Sequence, residues 1–355
     1  MDKIFEVRKL LAEKQVDAIL LYKPANVSWI SDFTGDSSMV IVAEKAEYFI
    51  TDSRYTEQAE KEIPASFEIK EIRAEVRYKV LNDIMTQNNV KKLGIEGQYI
   101  TLADMKDFEQ AFSAEYVMVD NEITALRAVK TEAELKIMRK AANITQDCFD
   151  HLLGYIKAGV SETDILAEMA YYFNKHGAGG ASFNPIIAGG PNSSMPHAQV
   201  TDRILKPGDL LTMDFGCEIK GYKSDFTRTI AISGLEPDMK VVYNTVRTAQ
   251  RAAMDALKPG FSGKEADKIA RDIIYGAGYE GLFGHSLGHG VGLEVHESPR
   301  LSMYSTDIMK ENMVVTVEPG IYIPGKGGVR IEDTVVITET GMESFYTATT
   351  ELLII

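Results

Sequence analysis

Residues 211–214 read Leu-Thr-Met-Asp, and residues 315–318, much further along the chain, read Val-Thr-Val-Glu. Both are strand-like segments that end in Thr-x-acid. A second acid follows each one on the predicted return strand, Asp225 in the first half and Glu332 in the second. The order predicts an internal repeat in which each half delivers two carboxylates from a hairpin.

The segments upstream of these strands support the same repeat. Residues 157–164 (Lys-Ala-Gly-Val-Ser-Glu-Thr-Asp) resemble residues 258–265 (Lys-Pro-Gly-Phe-Ser-Gly-Lys-Glu). In each, a glycine turn precedes a serine helix cap with an acid three residues on, which predicts that a helix begins there. Both helices are predicted to end in glycine-rich sequence, at 177–180 and at 276–278.

The paired carboxylates predict a cation site. The midpoint of the first hairpin falls beside Gly221 and that of the second falls on Gly325, so we expect each acid to lie roughly opposite its partner, with Cβ atoms about 4.5–5.5 Å apart. The flanking residues are apolar, and like charges at that distance destabilise a fold unless a proton or cation neutralises them. Divalent cations are the simplest remedy. The alternative is a set of solvent-facing strand acids paired with Lys or Arg.

Histidines cluster near the same hairpins. The chain has six, of which four lie close to the carboxylates in sequence: His197, His285, His289 and His296. Three of these fall within the glycine-rich segment 284–297, and glycines let the backbone approach a site closely. His151 and His176 sit on or at the ends of predicted helices and are interpreted as structural.

A site with four carboxylates and an imidazole is rich in hard oxygen ligands. Such a site favours Mn²⁺, Co²⁺ or Fe²⁺ over a thiolate-bound zinc, while Zn²⁺ stays possible. Two ions about 3.5–4 Å apart could share bridging carboxylates and a bridging hydroxide, which is hydrolytic machinery.

We expect an N-terminal α/β domain, residues 1–122, followed by an α+β domain, residues 123–355, which contains the predicted cation site. Helical periodicity over Lys3–Gln15 is followed by short strands at 18–22, 39–42 and 48–51 and by a further helical pattern from 54 to 62. A capping box at Thr131–Glu134 predicts a long helix to about residue 156.

Composition excludes several classes of protein. The formal net charge of −14 disfavours nucleic-acid binding. The acidic N-terminus and the short apolar runs argue against a secretory signal and against membrane insertion. Two cysteines, Cys148 and Cys217, are too few for a disulfide framework, so we expect buried thiols and a reducing cytoplasm.

Five motifs resemble the metallopeptidases with the pita-bread fold, and among them aminopeptidase P and prolidase, which cleave Xaa-Pro bonds. They are Ser194–Ala198, the Met213–Gly216 and Ser224–Thr229 hairpin, Gly288–Gly292, Val317–Tyr322 and Gly328–Asp333. The N-terminal stretch, with Asp17–Leu21 and Thr51–Tyr55, is similar to the creatinase-type domain of the same group. The resemblance therefore covers nearly the whole chain.

The resemblance implies a role for each residue. It implies a metal site in which Asp225 and Glu332 bridge two ions, Asp214 holds one, and His289 and Glu318 hold the other. The resemblance also implies three catalytic residues, Glu318 for proton transfer, His197 and His296. It implies three substrate-binding residues, His285, Arg330 and Tyr322. Arg330 could equally form a structural salt bridge beside the site, and Tyr322 could equally be an aromatic residue of the core.

The implied function is that of a manganese-dependent Xaa-Pro aminopeptidase, with an Xaa-Pro dipeptidase as the alternative. The short chain favours the former; an arginine or a loop that closes the space past the proline would favour the latter. Creatinase and methionine aminopeptidase are disfavoured, respectively, by the complete ligand set and by the N-terminal domain. A non-catalytic binding protein of the same fold is the alternative from another class. The resemblance also implies small proline-containing peptides as substrates and a homodimer.

Overall fold

The computed structural model describes residues 2–73 and 77–355 and divides the chain into two compact units, Met1–Arg127 and Ala128–Ile355. The boundary predicted after residue 122 falls inside a helix, Asp120–Ala128, whose last residue is the first residue of the second unit. None of the helices in the described part of the chain combines the length and the apolarity that a bilayer crossing requires.

The first unit is an α/β structure, as predicted. Its helices are α1 (Lys3–Lys14), α2 (Pro24–Ser31), α3 (Thr56–Glu62), α4 (Arg77–Gln87), α5 (Leu102–Ala111) and α6 (Asp120–Ala128). Its strands are β1 (Ala18–Leu21), β2 (Ser38–Ala43), β3 (Glu47–Asp52), β4 (Glu68–Ile72), β5 (Lys92–Ile95) and β6 (Glu115–Met118). They form one mixed sheet in the order β4-β3-β2-β1-β5-β6. The helix and the strands predicted from residue 3 to residue 51 are confirmed within one or two residues at their ends.

The second unit is an α+β structure. Its helices are α7 (Glu132–Tyr155), α8 (Glu162–Lys175), α9 (Pro237–Ala256) and α10 (Gly263–Gly276), with a 3₁₀ helix at Gly190–Ser194. Its strands are β7 (Ile186–Gly189), β8 (Leu210–Phe215), β9 (Glu218–Ile219), β10 (Tyr222–Lys223), β11 (Phe226–Ala231), β12 (Gly288–Gly290), β13 (Glu297–Leu301), β14 (Val314–Val317), β15 (Gly320–Ile323), β16 (Gly327–Arg330), β17 (Asp333–Ile337) and β18 (Met342–Ser344). They form two larger sheets, β11-β8-β7 and β13-β12-β14-β17-β18, and two small hairpins.

The internal repeat is visible in the helix starts. Capping boxes at Ser161–Asp164 and Ser262–Glu265 begin α8 and α10, because each serine accepts from the backbone N–H three residues on while the acid accepts from the serine N–H. The capping box predicted at Thr131–Glu134 likewise begins α7. All three helix starts predicted from capping residues are therefore confirmed.

The hairpins follow the same repeat. β8 pairs with β11, and β14 pairs with β17, both antiparallel. Between the members of each pair lies a smaller hairpin, β9–β10 in the first half and β15–β16 in the second. The predicted turns at Gly221 and Gly325 are confirmed, and both glycines have positive φ, 78° and 74°, a conformation that other residues rarely adopt.

Gly216 marks the closest backbone approach in the first hairpin. A Cβ atom at this position would lie 1.8 Å from the Ser224 carbonyl oxygen, the residue before Asp225. Only glycine allows the chain to bring the two acids of the first hairpin together here.

We therefore predict that Gly216→Ala lowers the free energy of unfolding by about 1–3 kcal/mol, because the backbone must shift to admit the methyl group. Gly154→Ala is the matched control: Gly154 lies in α7, and its Cβ would meet nothing within 4 Å. That change should stabilise the protein by about 0.5–1 kcal/mol. Urea unfolding of the two variants checks the prediction, and equal effects would contradict it.

Candidate functional site

The four acids predicted from sequence lie at strand ends. Asp214 lies near the end of β8 and Asp225 directly precedes β11, while Glu318 directly follows β14 and Glu332 directly precedes β17. Side-chain oxygen atoms of Asp214, Asp225 and Glu332 all lie within 4.8 Å of one another. The acids of both halves therefore meet in one place, as the repeat predicts.

The cross-strand register differs from the prediction in the first half. Asp214 lies opposite Thr227, not opposite Asp225. Phe215 pairs with Phe226, so Asp225 is offset by two positions and lies diagonally from Asp214 on the same face of the sheet. In the second half the last pair is Val317 with Asp333, and the two glutamates follow directly beyond it. The difference arises because the first hairpin turns between Lys220 and Gly221, one residue beyond the midpoint of the two acids, which shifts their pairing by two positions.

His289 completes the predicted ligand set. It lies in β12, and its Nε2 atom is 3.2 Å from Glu318 Oε1 and 3.8 Å from Asp225 Oδ2. The five residues predicted to hold metal thus line one cavity of about 620 Å³.

The donor set fits a cation. Asp214 Oδ1 and Glu332 Oε1 are buried atoms with no hydrogen-bonding partner among the described residues. Burial raises the pKa of Asp225 and Glu332 well above the usual range, and the charges of neighbouring carboxylates add to the rise. Burial raises the pKa of Asp214 too, although the charge of Arg330 opposes it. Unpartnered oxygens and mutual repulsion are what divalent ions relieve.

Glu318 and His289 form an ion pair in the absence of metal. Burial alone would lower the pKa of His289, but the hydrogen bond and charge of Glu318 raise it to about 9. Burial would raise the pKa of Glu318, but His289 lowers it to about 2. A metal ion on His289 must displace a proton from it, because only the neutral ring binds metal.

Arg330 is engaged by protein groups. Its guanidinium is buried and donates to Asp214 Oδ2 at 2.5 Å, to the Tyr322 hydroxyl at 2.7 Å and to the Pro196 carbonyl at 3.2 Å. Of the two alternatives left open by the sequence, this arrangement favours the salt bridge beside the site over a substrate carboxylate contact.

Tyr322 and His285 extend this chain of hydrogen bonds. Because the Tyr322 hydroxyl accepts from Arg330, its own proton is directed to His285 Nε2, 2.9 Å away. His285 Nδ1 then donates to the Ser286 carbonyl at 2.8 Å. Burial lowers the pKa of His285, in keeping with a neutral ring. Both ring nitrogens are used by the protein, so His285 orients Tyr322 and shapes the pocket wall.

The other two predicted histidines lie on the cavity wall. His197 is exposed within the cavity, and His296 packs edge-on against His289 with ring centroids 4.2 Å apart. Burial, followed by the charge of His289, lowers the pKa of His296. An apolar segment, Phe183–Ile186, and Val295 line the rest of the cavity.

Arg300 is a cavity residue that the sequence analysis missed. It lies in β13 opposite His289, lines the cavity and is exposed. Within the described part of the chain its guanidinium has no hydrogen-bonding or ion-pair partner. The only signal in the sequence is that a basic residue follows shortly after His296. The pairing of β13 with β12, which directs Arg300 at the cavity, was not predicted.

Comparison with known proteins gives matches along almost the whole chain. A model of metallopeptidase family M24 matches residues 136–339, and a model of the creatinase/prolidase N-terminal domain matches residues 3–129. The chain is 36% identical to a Xaa-Pro dipeptidase of Pyrococcus furiosus, covering 99% of each protein, and 36% identical to a putative Xaa-Pro aminopeptidase of Mycoplasma genitalium, covering 94% of each.

Solved structures of similar proteins also match almost the whole chain. A Xaa-Pro dipeptidase from Bacillus anthracis is 39% identical with a TM-score of 0.96, over 100% of this chain and 99% of that one. An X-Pro aminopeptidase from Thermotoga maritima is 35% identical with a TM-score of 0.92, over 100% of both chains.

A first prediction concerns the inequality of the two metal positions. Removal of a residue that only hydrogen-bonds to a metal ligand weakens metal binding by about 10–100-fold. Because His289 is itself a predicted ligand, His289→Ala should weaken the binding of one ion by more than about 100-fold. The other ion should change far less, because its carboxylates stay in place. Calorimetric titration with Mn²⁺ would resolve the two steps, with exposed His176→Ala as control. Equal weakening of both ions would overturn the assignment.

A second prediction concerns pH. Because the pKa values of Asp225, Glu332 and His289 are raised in the metal-free protein, protons compete with metal, and affinity should rise with pH up to about pH 9, where His289 loses its proton. Titration in two buffers of different ionisation enthalpy should show proton release on binding. Affinity that falls with rising pH would contradict this electrostatic interpretation.

Proposed function

Because the chain belongs to metallopeptidase family M24, we propose that it hydrolyses Xaa-Pro bonds and that Xaa-Pro dipeptides are its preferred substrates. It is a metallopeptidase with the pita-bread fold, and a creatinase-type domain precedes the catalytic domain in the sequence. The observation that supports the preference for dipeptides is Arg300, an exposed cation on the cavity wall. In this proposal Arg300 closes the space past the proline, which is the feature that favours a dipeptidase over an aminopeptidase.

The metal ligands are assigned as follows in this proposal. Asp225 and Glu332 would contribute to the binding of both divalent ions, Asp214 to that of one, and His289 and Glu318 to that of the other. When bound, the ions polarise the scissile carbonyl and make water a nucleophile at neutral pH. The oxygen-rich donor set favours Mn²⁺, with Co²⁺, Fe²⁺ and Zn²⁺ as the alternatives that reconstitution would separate.

Arg330 and Thr227 keep these ligands in place. The Thr227 hydroxyl accepts from Arg330 Nε at 3.3 Å and donates to Glu332 Oε2 at 2.6 Å. Arg330 also fixes Asp214, so one guanidinium orients a ligand from each half of the repeat. The remaining carboxylate oxygens are left directed at the cavity.

The catalytic groups of the chain act on protons and on the developing charge. Glu318 accepts a proton from the attacking water and passes it to the proline nitrogen as the carbon–nitrogen bond breaks. His197 and His296, on the cavity wall, donate hydrogen bonds to the oxygen on which negative charge develops.

Arg300 and the apolar wall select the substrate. The proline ring lies against Phe183 and Val295, while the free carboxylate of a dipeptide binds the Arg300 guanidinium. A longer peptide has no carboxylate at this point, so it loses the charge-assisted contact. The Xaa-Pro aminopeptidase activity suggested by the short chain is the second candidate, and relatives of both kinds support keeping it in the test.

The proposal extends to assembly and location. The resemblance to pita-bread peptidases supports a homodimer, which light scattering of the purified protein would test. The two buried cysteines, which form no disulfide, support a reducing compartment such as the cytoplasm, which cell fractionation would test.

We predict that the protein turns over Ala-Pro faster than Ala-Pro-Ala, and that Arg300→Leu raises KM for Ala-Pro by about 10–100-fold, the cost of one charge-assisted bond. Arg300→Lys keeps the positive charge, so its KM for Ala-Pro should lie between those of the wild type and of Arg300→Leu. Steady-state kinetics with Mn²⁺ check both parts. Faster turnover of the tripeptide, together with an unchanged KM for Ala-Pro in Arg300→Leu, would favour the aminopeptidase instead.

A further inference from the structure

Glu162 is a buried acid that the mechanism above does not use. It is the first residue of α8, and its side chain is fully buried, with 0% exposure. Such a carboxylate requires hydrogen-bond donors to offset the loss of water. The identity of those donors shows what the residue does.

Four hydrogen bonds reach the Glu162 carboxylate, and all come from one loop, residues 189–201. Oε1 accepts from the Gly189 N–H at 2.8 Å and from the Asn192 side-chain amide at 2.9 Å. Oε2 accepts from the Thr201 N–H at 2.9 Å and from the Thr201 hydroxyl at 2.6 Å. One oxygen therefore holds the start of the loop and the other holds its end.

The same loop carries His197 into the cavity. Its residues Pro196–Gln199 line the cavity wall, and the Pro196 carbonyl accepts from Arg330. The side chain of His197 makes no hydrogen bond to any residue in the described part of the chain. Its position is therefore set by the loop backbone, whose base Glu162 closes.

In the second half of the repeat, a different buried acid holds the segment that carries a cavity histidine. Asp267 on α10 is also fully buried, and its Oδ1 accepts from the Leu287 N–H at 3.1 Å. Its ion-pair partner Arg271 donates to the Phe283 and His285 carbonyls, each at 2.9 Å. In both halves a buried acid on the repeat helix holds the segment that carries a cavity histidine.

We propose that Glu162 is a positioning residue, which sets the catalytic placement of His197 by closing the base of loop 189–201. The proposal rests on the proposed function in one respect, the contact of His197 with the reacting group. The closure of the loop itself is independent of which substrate is cleaved.

The central variant is Glu162→Gln, which is isosteric. Its NH₂ group cannot accept a hydrogen bond, so it must release either the Gly189 end or the Thr201 end of the loop. Displacement of a catalytic group by about 1 Å can cost on the order of 100-fold in rate, so kcat should fall by about 10–100-fold. KM should change by less than about threefold, because Arg300 and the apolar wall remain. Both metal ions should stay bound, since no ligand lies in the loop.

A double-mutant cycle separates positioning from a general structural role. If Glu162 acts through His197, then Glu162→Gln combined with His197→Ala should have the kcat of His197→Ala alone, within about twofold. The matched control is Asp164→Asn on the same helix, an exposed acid whose hydrogen bonds go to Ser161 only. Its effect on kcat should be negligible in both backgrounds. Multiplicative losses for Glu162→Gln and His197→Ala would overturn the proposal.

Hydrogen exchange of the metal-loaded protein without substrate tests loop closure directly. Glu162→Gln should speed exchange of the amides in segment 189–201 more than elsewhere, and unchanged exchange there would overturn the proposal whatever the kinetics show. If the wild type cleaves another peptide instead of Xaa-Pro, the proposed function fails, and the same cycle is measured on that peptide. If Glu162→Gln does not fold, Thr201→Val removes one of the four bonds at an exposed position and should show the same pattern at smaller size.

Discussion

The catalytic unit depends on one constraint, the mutual repulsion of four carboxylates, of which two are buried and two are half-buried. Asp214, Asp225, Glu318 and Glu332 converge from both halves of the chain on one cavity, where burial disfavours their charged forms. The protein neutralises this charge only in part. Arg330 pairs with Asp214, and His289 pairs with Glu318, while Asp225 and Glu332 have no cationic partner of their own as close. Divalent ions supply the missing charge, and the same ions supply the chemistry.

The duplicated architecture explains how such a site is assembled. Each half contributes a capped helix, a pair of strands and a subsidiary hairpin, so one structural solution is used twice. The halves differ where function differs. His289 belongs to the second half only, which in the proposed ligand assignment would make the two metal positions chemically unequal. The buried acids Glu162 and Asp267 hold their loops by different bonds, because one lies at the first turn of its helix and the other lies further along.

Much of this organisation follows from local sequence. The capping boxes, the strands that end in Thr-x-acid and the turns at Gly221 and Gly325 are local signals, and they predict the elements well. The apolar residues that flank the paired acids also predict that these acids need a cation. Relations between distant segments were harder to predict. The diagonal offset of Asp214 and Asp225 follows from the exact centre of the turn, between Lys220 and Gly221, which the midpoint between the two acids misses by one residue.

Side-chain contacts were the least predictable part of the site. Whether Arg330 meets a substrate or Asp214 depends on the pairing of strands from opposite halves. Arg300 is directed at the cavity only because β13 pairs with β12, and the role of Glu162 depends on its hydrogen bonds to loop 189–201, which its neighbours in sequence do not show. In each case the residue type was visible in the sequence, while its partner lay far away along the chain.

The most direct test of the central claim is the thermal stability of the metal-free double variant Asp225→Asn/Glu332→Gln. If like-charge repulsion dominates this cavity, removing two charges should raise the unfolding temperature of the metal-free protein above that of metal-free wild type at neutral pH. The same variant should no longer be stabilised by Mn²⁺. A lower unfolding temperature without metal, or retained stabilisation by Mn²⁺, would contradict the claim that these carboxylates are held together for a cation.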